Sequence, residues 1–441
     1  MNVRADFFAL KFFVYKQFVL WYTSVKESYS EVIEMSLPIP ASYISDFEQL
    51  GFGMFVHFGL YSQLKKGEWS LASLGLDKKE YAKLQDSFCV PTMADIVNTA
   101  KSAGCKYITL TTRHHEGFSL YDTKGLCSYD VMHSPTGKDL IAEFVSLCRE
   151  ADIVPFFYHT TLDWYQESFE GDFDAYLDYL YKSVELLCTN YGPIGGLWFD
   201  GNWSRPDANW KEDRLYAMIR SHQPNAMIIN NTGIDARGAV GEVEIDAVTF
   251  ERGMPKPLDR SNHKKYIAGE MCETVSDYWG IADDINFKSI KTLICELCHC
   301  RKVGANFLLN VGPAGDGTIP LMQKATMECI GRWMQVYGRA IYNGRPFVSF
   351  DNERCFALKD VNDEKIAYLF CMDPGSAGED IVTGRKNGWI SLGEFAVESG
   401  FWMDDGSAID LKTENDTTFA FPKGFEYGRS LCVRVAELKL K

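Results

Sequence analysis

The 441-residue sequence contains no low-complexity tract, no excess of basic residues and no uninterrupted apolar run long enough to span a bilayer. Its 45 Lys and Arg residues are outnumbered by 60 Asp and Glu residues, which gives a formal net charge of -15. Nucleic acids and anionic lipids bind basic surfaces that release counterions, so this balance argues against both as partners. A neutral or small substrate is the class of partner that remains.

The 13 cysteines follow no regular spacing, and their number is odd. A chain of this length does not need disulfides for stability, so we predict reduced thiols and a cytoplasmic location. Cys295, Cys298 and Cys300 resemble part of a metal cluster, but a structural zinc site needs four ligands, and the neighbouring sequence lacks a second pair. Because the three residues lie in a helical pattern, we predict that they are small residues facing the core.

The first 34 residues have an unusual composition. The stretch from Phe7 to Tyr22 is aromatic and apolar, but Lys11 and Lys16 interrupt it and no small-residue cleavage site follows. It is predicted to be an amphipathic appendage, either upstream of a true start at Met35 or forming a helix on a membrane surface. We expect no signal peptide in this segment. Of the two interpretations, we prefer the one without membrane contact.

Eight short runs of apolar and β-branched residues predict the strands of the main domain. They lie at 52–58, 107–112, 153–158, 196–199, 226–230, 247–250, 266–271 and 306–311, and helical patterns at 93–103, 139–150, 173–190, 210–221 and 287–303 separate several of them. Strands alternating with amphipathic helices indicate parallel strands and right-handed crossovers, so we predict a (β/α)8 barrel of the TIM type. A doubly wound sheet is the alternative, but the loop from Gly59 to Gln63 lacks the glycine-rich dinucleotide fingerprint.

The pattern changes after Tyr337 to short alternating runs at 347–350, 355–359, 365–371, 389–392 and 430–435. Such runs are typical of antiparallel strands and predict a small C-terminal β-sandwich. The predicted organisation is therefore an appendage at 1–34, a catalytic barrel at 35–344 and a sandwich at 345–441.

Chemically active residues are concentrated where the predicted barrel strands end, which is where barrel enzymes build their active sites. Four of the eight histidines belong to this set. A single histidine at a strand end is often only a hydrogen-bonding residue, whereas the collective pattern indicates an active site. The set comprises His57, Arg113, His114, His115, Glu116, Tyr158, His159, Trp198, Asp200, Asn230, Asn231, Glu251, Arg252, Glu270 and Asn310.

A hydrolytic metal centre is one interpretation of these residues, because imidazoles and a carboxylate suit zinc. Its ligands would be His57, His114, His115, His159 and Asp200. Neighbouring residues of a strand point to opposite faces, so His114 and His115 can reach one metal only if the strand has already ended. The first strand also lacks a His-x-His pair.

Cleavage of a glycoside by two carboxyls is the second interpretation. Asp200 ends an apolar strand between glycines that admit a ligand close to the backbone, and Trp198 can form a wall of the pocket. A retaining mechanism needs a second carboxyl about 5 to 5.5 Å away, and an inverting one needs a wider separation. The candidates for the second carboxyl are Glu251, Glu270 and Glu273.

A series of motifs supports the glycosidase interpretation. They are Phe-Gly-Met-Phe-Val-His-Phe-Gly at 52–59, Gly-Glu-Trp at 67–69, Thr-Arg-His-His-Glu-Gly-Phe at 112–118, Gly-Leu-Trp-Phe-Asp-Gly at 196–201, Thr-Phe-Glu-Arg at 249–252, Gly-Glu-Met-Cys at 269–272, Trp-Gly at 279–280 and Asn-Phe-Leu-Leu-Asn-Val-Gly-Pro at 306–313. In number, order and spacing they resemble the motifs of glycoside hydrolase family 29 α-L-fucosidases. The resemblance implies retaining hydrolysis of terminal α-L-fucosyl residues on oligosaccharides or glycoconjugates, with no cofactor and no metal.

The same resemblance assigns roles to individual residues. It makes Asp200 the nucleophile, which agrees with its setting at the end of an apolar strand. The residues implied to hold the sugar are His57, Glu68, Trp69, His114, His115, His159 and Trp198, with Trp279 as an aromatic platform and Arg237 as the nearest match to an arginine used by some members.

The acid/base is predicted to be Glu251, because Thr249-Phe250-Glu251 matches the family's Thr-x-Glu stretch after a strand. Glu270 is the alternative, at a position where the family also has a glutamate, and otherwise it would support the substrate site by orienting His57 or Arg237. Glu242 and Glu244 lie in the intervening loop. A catalytically silent fucose-binding protein would lack one of the carboxyls, whereas this sequence has Asp200 and several candidate acids.

Overall fold

The computed structural model describes residues 38–441 apart from 243, 261–262, 352–353, 376–387 and 394. The predicted appendage at 1–34 lies outside the described residues. Ser42–Leu258 and Ile267–Lys441 form one compact unit, which contains both the barrel and the C-terminal sheets. Asp259–Tyr266 belong to a separate unit, within which the guanidinium of Arg260 lies 4.3 Å from the centre of the Tyr266 ring.

Eight parallel strands close into a barrel in chain order, as the sequence predicts. Each predicted run overlaps one strand, and pairing of the first strand with the last closes the barrel. Nearly every strand residue is buried, because helices cover the outer face of a parallel sheet. The strands are β1 Phe52–Val56, β2 Tyr107–Arg113, β3 Val154–Thr160, β4 Gly196–Asp200, β5 Met227–Asn230, β6 Ala247–Glu251, β7 Ala268–Thr274 and β8 Ala305–Val311.

The helices of the described chain include all five that the sequence predicts. Asp139, Asp172 and Ser289 each accept a backbone N–H at the start of a long helix, which satisfies a donor that has no partner within the helix. The helices are α1 Ser42–Leu50, α2 Tyr61–Leu64, α3 Ser70–Ser73, α4 Lys78–Ala82, α5 Ala94–Ala103, α6 Leu140–Glu150, α7 Glu167–Glu170, α8 Phe173–Asn190, α9 Glu212–His222, α10 Ile290–Val303 and α11 Leu321–Asn343.

Two antiparallel sheets follow α11 and form the predicted sandwich. One has the strand order β13-β16-β11-β10-β9 and the other β12-β15-β14. Side chains of both sheets, including those of Leu369, Trp402 and Ala420, share one apolar core. The strands are β9 Gly344–Asp351, β10 Cys355–Asp360, β11 Ile366–Cys371, β12 Ile390–Ser391, β13 Val397–Trp402, β14 Leu411–Glu414, β15 Thr417–Ala420 and β16 Arg434–Leu440.

The β-sandwich packs directly on the barrel's last helix. The indole Nε1 of Trp333 in α11 donates to the carbonyl oxygen of Val433 at 2.9 Å. Phe356, Tyr368 and Val435 belong to the same apolar cluster as the barrel helices. The barrel therefore shares part of its core with the β-sandwich.

None of the 13 cysteines, all of which lie in the described part of the chain, forms a disulfide. Cys298 and Cys300 are buried in α10, as predicted, and Cys295 is partly buried. Over the residues that the structure describes, every helix is too short or too polar to cross a membrane.

Candidate active site

A pocket of about 590 Å³ opens at the C-terminal ends of the barrel strands. Nine of the twelve residues predicted to form the site line it, and the structure therefore brings together residues from six different strand ends and loops. They are His57, Glu68, Trp69, His114, His115, Trp198, Asp200, Glu251 and Trp279. The other three predicted residues, His159, Arg237 and Glu270, lie outside the lining.

Asp200 is held at the end of β4 by donors to both of its oxygens. Oδ1 accepts from the indole Nε1 of Trp203 at 2.8 Å, and Oδ2 accepts from the hydroxyl of Tyr158 at 3.1 Å. The next residue is Gly201, with φ +120°, and a Cβ there would come within 2.5 Å of the backbone nitrogen of Leu162. Only glycine fits this turn, which sets the carboxyl at the base of the pocket.

Asn231 connects the two predicted catalytic carboxyls. Its Nδ2 donates to Oδ1 of Asp200 at 3.2 Å and to Oε2 of Glu251 at 2.8 Å. Its Oδ1 accepts from the hydroxyl of Thr249 and the backbone N–H of Gly233, which fixes the orientation of the amide. Because the two hydrogens of one amide nitrogen diverge by about 120°, a separation of about 5 Å is expected for the two oxygens that they contact, which suits a retaining pair.

Glu251 holds a proton more strongly than an ordinary carboxyl does. Burial raises the pKa of Glu251 to about 7, and the negative charge of Asp200 adds to this effect. The hydrogen bond from Asn231 and the charges of Arg252 and Arg237 oppose the shift. A carboxylic acid that keeps its proton near neutral pH beside a carboxylate is suited to general acid catalysis.

His57 and His115 both present an unprotonated Nε2 to the pocket. The amide nitrogen of Asn310 donates to the Trp279 carbonyl, so its Oδ1 accepts from Nδ1–H of His57 at 2.7 Å. The hydroxyl of Thr160 donates to the Leu162 carbonyl and accepts from Nδ1–H of His115 at 2.7 Å. Burial lowers the pKa of both imidazoles well below the ordinary value, so both are neutral and offer Nε2 as an acceptor.

Aromatic rings form the apolar walls of the pocket. The Trp198 ring centre lies 5.0 Å from that of Phe55 and 5.6 Å from that of Tyr158. The Trp279 ring lies 5.1 Å from the imidazole of His57. Flat apolar faces beside polar donors and acceptors suit a sugar ring, which has both kinds of surface.

Glu68 is a further buried carboxyl in the lining. Its Oε2 accepts from the backbone N–H of Gly280 at 2.8 Å. Burial raises its pKa, while the backbone donors of residues 68, 279 and 280 lower it to a smaller extent. Its carboxyl is therefore available to hydrogen-bond a hydroxyl group in the pocket.

His159 does not line the pocket, so the prediction that it contacts the substrate is wrong. His159 is fully buried and hydrogen-bonds through Nε2 to Ser183 of α8 and through Nδ1 to the Thr160 carbonyl. It therefore faces the helices, because neighbouring residues of β3 point to opposite faces. Tyr158, which the sequence also places at this strand end, faces the pocket instead.

Glu270 lies beneath the pocket rather than in its lining. Its Oε1 accepts from the indole Nε1 of Trp198 at 2.9 Å, and its Oε2 accepts from the hydroxyl of Tyr107 at 2.6 Å. Glu270 therefore supports Trp198, and not His57 or Arg237 as the sequence suggested. The acid alternative at Glu270 requires access to the substrate, which this position does not provide.

Arg237 lies beside the pocket and is exposed. Its Nε donates to the backbone carbonyl of Glu251, so it contacts the end of β6 rather than the cavity. The arginine that lines the pocket is Arg252, which has φ +49° and donates to Oγ1 of Thr274 at 3.4 Å. Arg252 directly follows Glu251 in the sequence, and this position at the same strand end is the signal that could have identified it as a pocket residue.

The described residues contain no group of three or more His, Cys, Asp or Glu side chains that could hold a metal ion. The metal interpretation therefore lacks a set of ligands in this part of the chain. Nδ1 of His57 and of His115 is occupied by a protein acceptor. Nε2 of His115 lies 3.6 Å from Oδ2 of Asp200.

Two carboxyls bridged by one amide, in a barrel pocket lined by indoles and neutral imidazoles, are the arrangement of a glycoside hydrolase. Comparison with known families agrees and is more specific. The family model described as alpha-L-fucosidase matches residues 29–339. The chain belongs to the alpha-L-fucosidase family.

Individual relatives support this assignment. The tissue alpha-L-fucosidase of Bos taurus is 28% identical over 345 residues, which cover 71% of this chain and 70% of that protein. Alpha-L-fucosidase isoenzyme 1 from Paenibacillus thiaminolyticus superimposes with a TM-score of 0.76 at 28% identity, covering 91% of this chain and 99% of that chain. The Bacteroides thetaiotaomicron alpha-L-fucosidase, with a TM-score of 0.77 at 23% identity and coverage of 92% and 96%, supports the fold.

Proposed function

We propose that this member of the family hydrolyses terminal α-L-fucosyl residues of glycans or glycosides with retention, with Asp200 as nucleophile and Glu251 as acid and base. The observation that carries the assignment is the single amide of Asn231, which donates to both carboxyls. This bridge supports a separation of about 5 Å, which is shorter than the separation that an inverting mechanism needs for its water.

The reaction proceeds in two displacements. An Asp200 oxygen attacks the anomeric carbon while the bond to the glycosidic oxygen breaks and Glu251 transfers its proton to that oxygen. Glu251 is then a carboxylate and removes a proton from water, whose oxygen attacks the anomeric carbon and releases Asp200. Oε2 of Glu251 is held by Asn231, which leaves Oε1 to carry the proton.

The remaining lining residues bind and orient the sugar. Nε2 of His57 and of His115 and the carboxyl of Glu68 accept hydrogen bonds from hydroxyl groups. Trp198 and Trp279 pack against apolar faces, including the methyl group that distinguishes a 6-deoxy sugar. The combination favours a neutral deoxy-hexose, consistent with the acidic net charge and with a fucosylated substrate.

Azide rescue tests the two carboxyl assignments separately. Asp200→Gly should lose activity on an aryl α-L-fucoside, and azide should restore turnover with a β-fucosyl azide product, because azide replaces the nucleophile. Glu251→Ala should give an α-fucosyl azide, because azide then attacks the intermediate on Asp200.

Leaving-group dependence supplies the control. Glu251→Ala should slow aryl fucosides with poor leaving groups far more than those with good ones. Glu270→Ala is the matched carboxyl control and should show no such contrast. A contrast at Glu270 but not at Glu251 would transfer the acid/base role, and normal turnover by Asp200→Gly would refute the nucleophile assignment.

A further inference from the structure

Glu116 is a buried carboxyl that the proposed mechanism does not use. It lies in the loop after β2 and is 1% exposed, and neither of its carboxyl oxygens accepts a hydrogen bond of normal geometry from the described residues, although the backbone N–H groups of residues 60 and 116 lie close enough to influence it. A Cβ at Gly59 would lie 2.6 Å from Oε1, so the glycine allows the carboxyl to lie against the backbone after β1. Glycine at position 59 therefore leaves the space that the Glu116 side chain occupies.

His114 is the pocket residue next to this carboxyl. Its Nδ1 lies 3.6 Å from Oε2 of Glu116, is buried, and has no partner in the described part of the chain. Because His114 lines the pocket while Nδ1 is shielded from it, Nε2 is the nitrogen available to a ligand. In a neutral imidazole, Nε2 accepts a hydrogen bond if Nδ1 carries the ring proton and donates one if Nδ1 does not.

The surroundings of Glu116 favour its neutral form. Arg113, whose charge acts on Glu116, directs its guanidinium to Ser119 and Tyr121. Burial raises the pKa of Glu116 to about 8, which the backbone N–H groups of residues 60 and 116 and the charge of Arg113 only partly oppose. The phenols of Tyr61, Tyr81, Tyr129 and Tyr158 also interact with it and remain protonated, because burial raises their pKa. A second carboxyl, that of Asp163, interacts with it as well, and burial raises the pKa of Asp163 too.

A neutral carboxyl has one O–H donor, and a buried donor needs an acceptor. Burial lowers the pKa of His114 to about 3, so its imidazole is also neutral and one ring nitrogen is an acceptor. If the Glu116 O–H donates to Nδ1, the ring proton is on Nε2. Small movements that shorten the 3.6 Å gap to a normal hydrogen bond satisfy both unpartnered groups.

We propose that Glu116 is a positioning residue which, as a neutral acid, holds His114 in the Nε2–H tautomer, so that His114 donates a hydrogen bond to a substrate oxygen. His57 and His115 have the opposite tautomer and accept. The three imidazoles thus read the hydroxyl groups of the sugar with one donor and two acceptors. The identity of the ligand in this inference rests on the proposed function, whereas the tautomer of His114 is independent of that function.

Two substitutions at Glu116 separate a neutral donor from a carboxylate. Glu116→Gln keeps an N–H that can donate to Nδ1, and kcat/KM on an aryl α-L-fucoside should stay within about threefold of the wild type. Glu116→Leu removes the donor and should lower kcat/KM about tenfold to a hundredfold. Tyr81→Phe, a change in the same buried cluster that does not touch His114, is the control and should have little effect. An equal loss in the Gln and Leu variants would overturn the proposal.

Deoxy substrates distinguish positioning from general support of the fold. The loss caused by Glu116→Leu should nearly disappear for the one monodeoxy aryl fucoside that lacks the hydroxyl contacted by His114. The same loss for all monodeoxy substrates would show a merely structural role and contradict the inference.

Nitrogen-15 NMR of histidine-labelled wild-type protein gives the tautomer directly and does not depend on the Leu variant folding. The His114 spectrum should show a protonated Nε2 and an unprotonated Nδ1. A protonated Nδ1 would refute the proposal. An inactive wild type would refute the proposed function alone, because the NMR result decides the tautomer independently of turnover.

Discussion

The indole Nε1 of Trp203 donates to Oδ1 of Asp200 at 2.8 Å, across a single turn of chain after β4. The Trp203 ring also stacks at 6.0 Å on that of Trp69, which lines the pocket. One side chain therefore both orients the proposed nucleophile and extends the aromatic rim. A hydrogen bond to a charged carboxylate is stronger than one between neutral groups, so this contact is expected to matter for the rate.

Trp203→Phe should keep much of the aromatic surface and lose only the N–H donor. We expect kcat/KM on an aryl α-L-fucoside to fall about tenfold, which corresponds to about 1.4 kcal/mol for one charge-assisted hydrogen bond. Trp164→Phe is the matched control, because its ring contacts Trp69 and His115. Similar losses in both variants would show that ring packing, and not the bond to Asp200, is responsible.

The pH dependence of the reaction should report the proton on Glu251. Its pKa of about 7 predicts that kcat/KM falls as pH rises through neutrality, because the acid is then lost. The hydrogen bond from Asn231 lowers this pKa, so Asn231→Ala should move the alkaline limb to higher pH and also reduce kcat. The measurement is a pH–rate profile for each protein.

A substrate with a very good leaving group is the control for this profile. Its departure needs little protonation, so the alkaline limb should be weaker in the wild type. If the limb is unchanged in Asn231→Ala, or moves to lower pH, the group that titrates is not Glu251.

The barrel is well predicted from the sequence, because parallel strands covered on their outer face are uniformly apolar and the intervening helices have a clear period. The sandwich is less complete in the prediction, which lacks β13, β14 and β15. The last two form a hairpin whose turn residues, Asn415 and Asp416, have φ +47° and +62°. Such a two-residue turn was a usable signal, but the strands beside it are short and mostly polar.

The site is predicted at the level of strand ends but less well at the level of side-chain direction. Tyr158 and His159 are consecutive, and only the pairing of Tyr158 with Trp198 across β3 and β4 identifies the one that faces the pocket. The bridging role of Asn231 depends on how three strand ends meet, which no local pattern encodes. The membrane, nucleic-acid and cytoplasmic interpretations stay predictions.

Removal of metal ions should leave the activity unchanged, since the proposed reaction uses only carboxyls and a water molecule. The experiment is kcat/KM on an aryl α-L-fucoside before and after exhaustive chelation and dialysis, with a zinc hydrolase treated in parallel. Loss of activity that zinc restores would support the metal-dependent hydrolase instead.

Glu270 should contribute to stability in a pH-dependent way that Glu270→Gln removes. Burial raises its pKa from 4.5 to about 7, so the native state keeps a proton that the unfolded chain loses above its own lower pKa. The free energy of unfolding should therefore decrease between about pH 4.5 and pH 7, by about 3 kcal/mol from this group, and its contribution should level off above pH 7.

Urea denaturation of the wild type and of Glu270→Gln at pH 5 and pH 7.5 measures the difference. Other buried acids, including Glu116 and Glu251, titrate in both proteins and cancel in the comparison. Equal pH dependence in the two proteins would mean that Glu270 is already ionised in the native state, stabilised by its bonds from Trp198 and Tyr107.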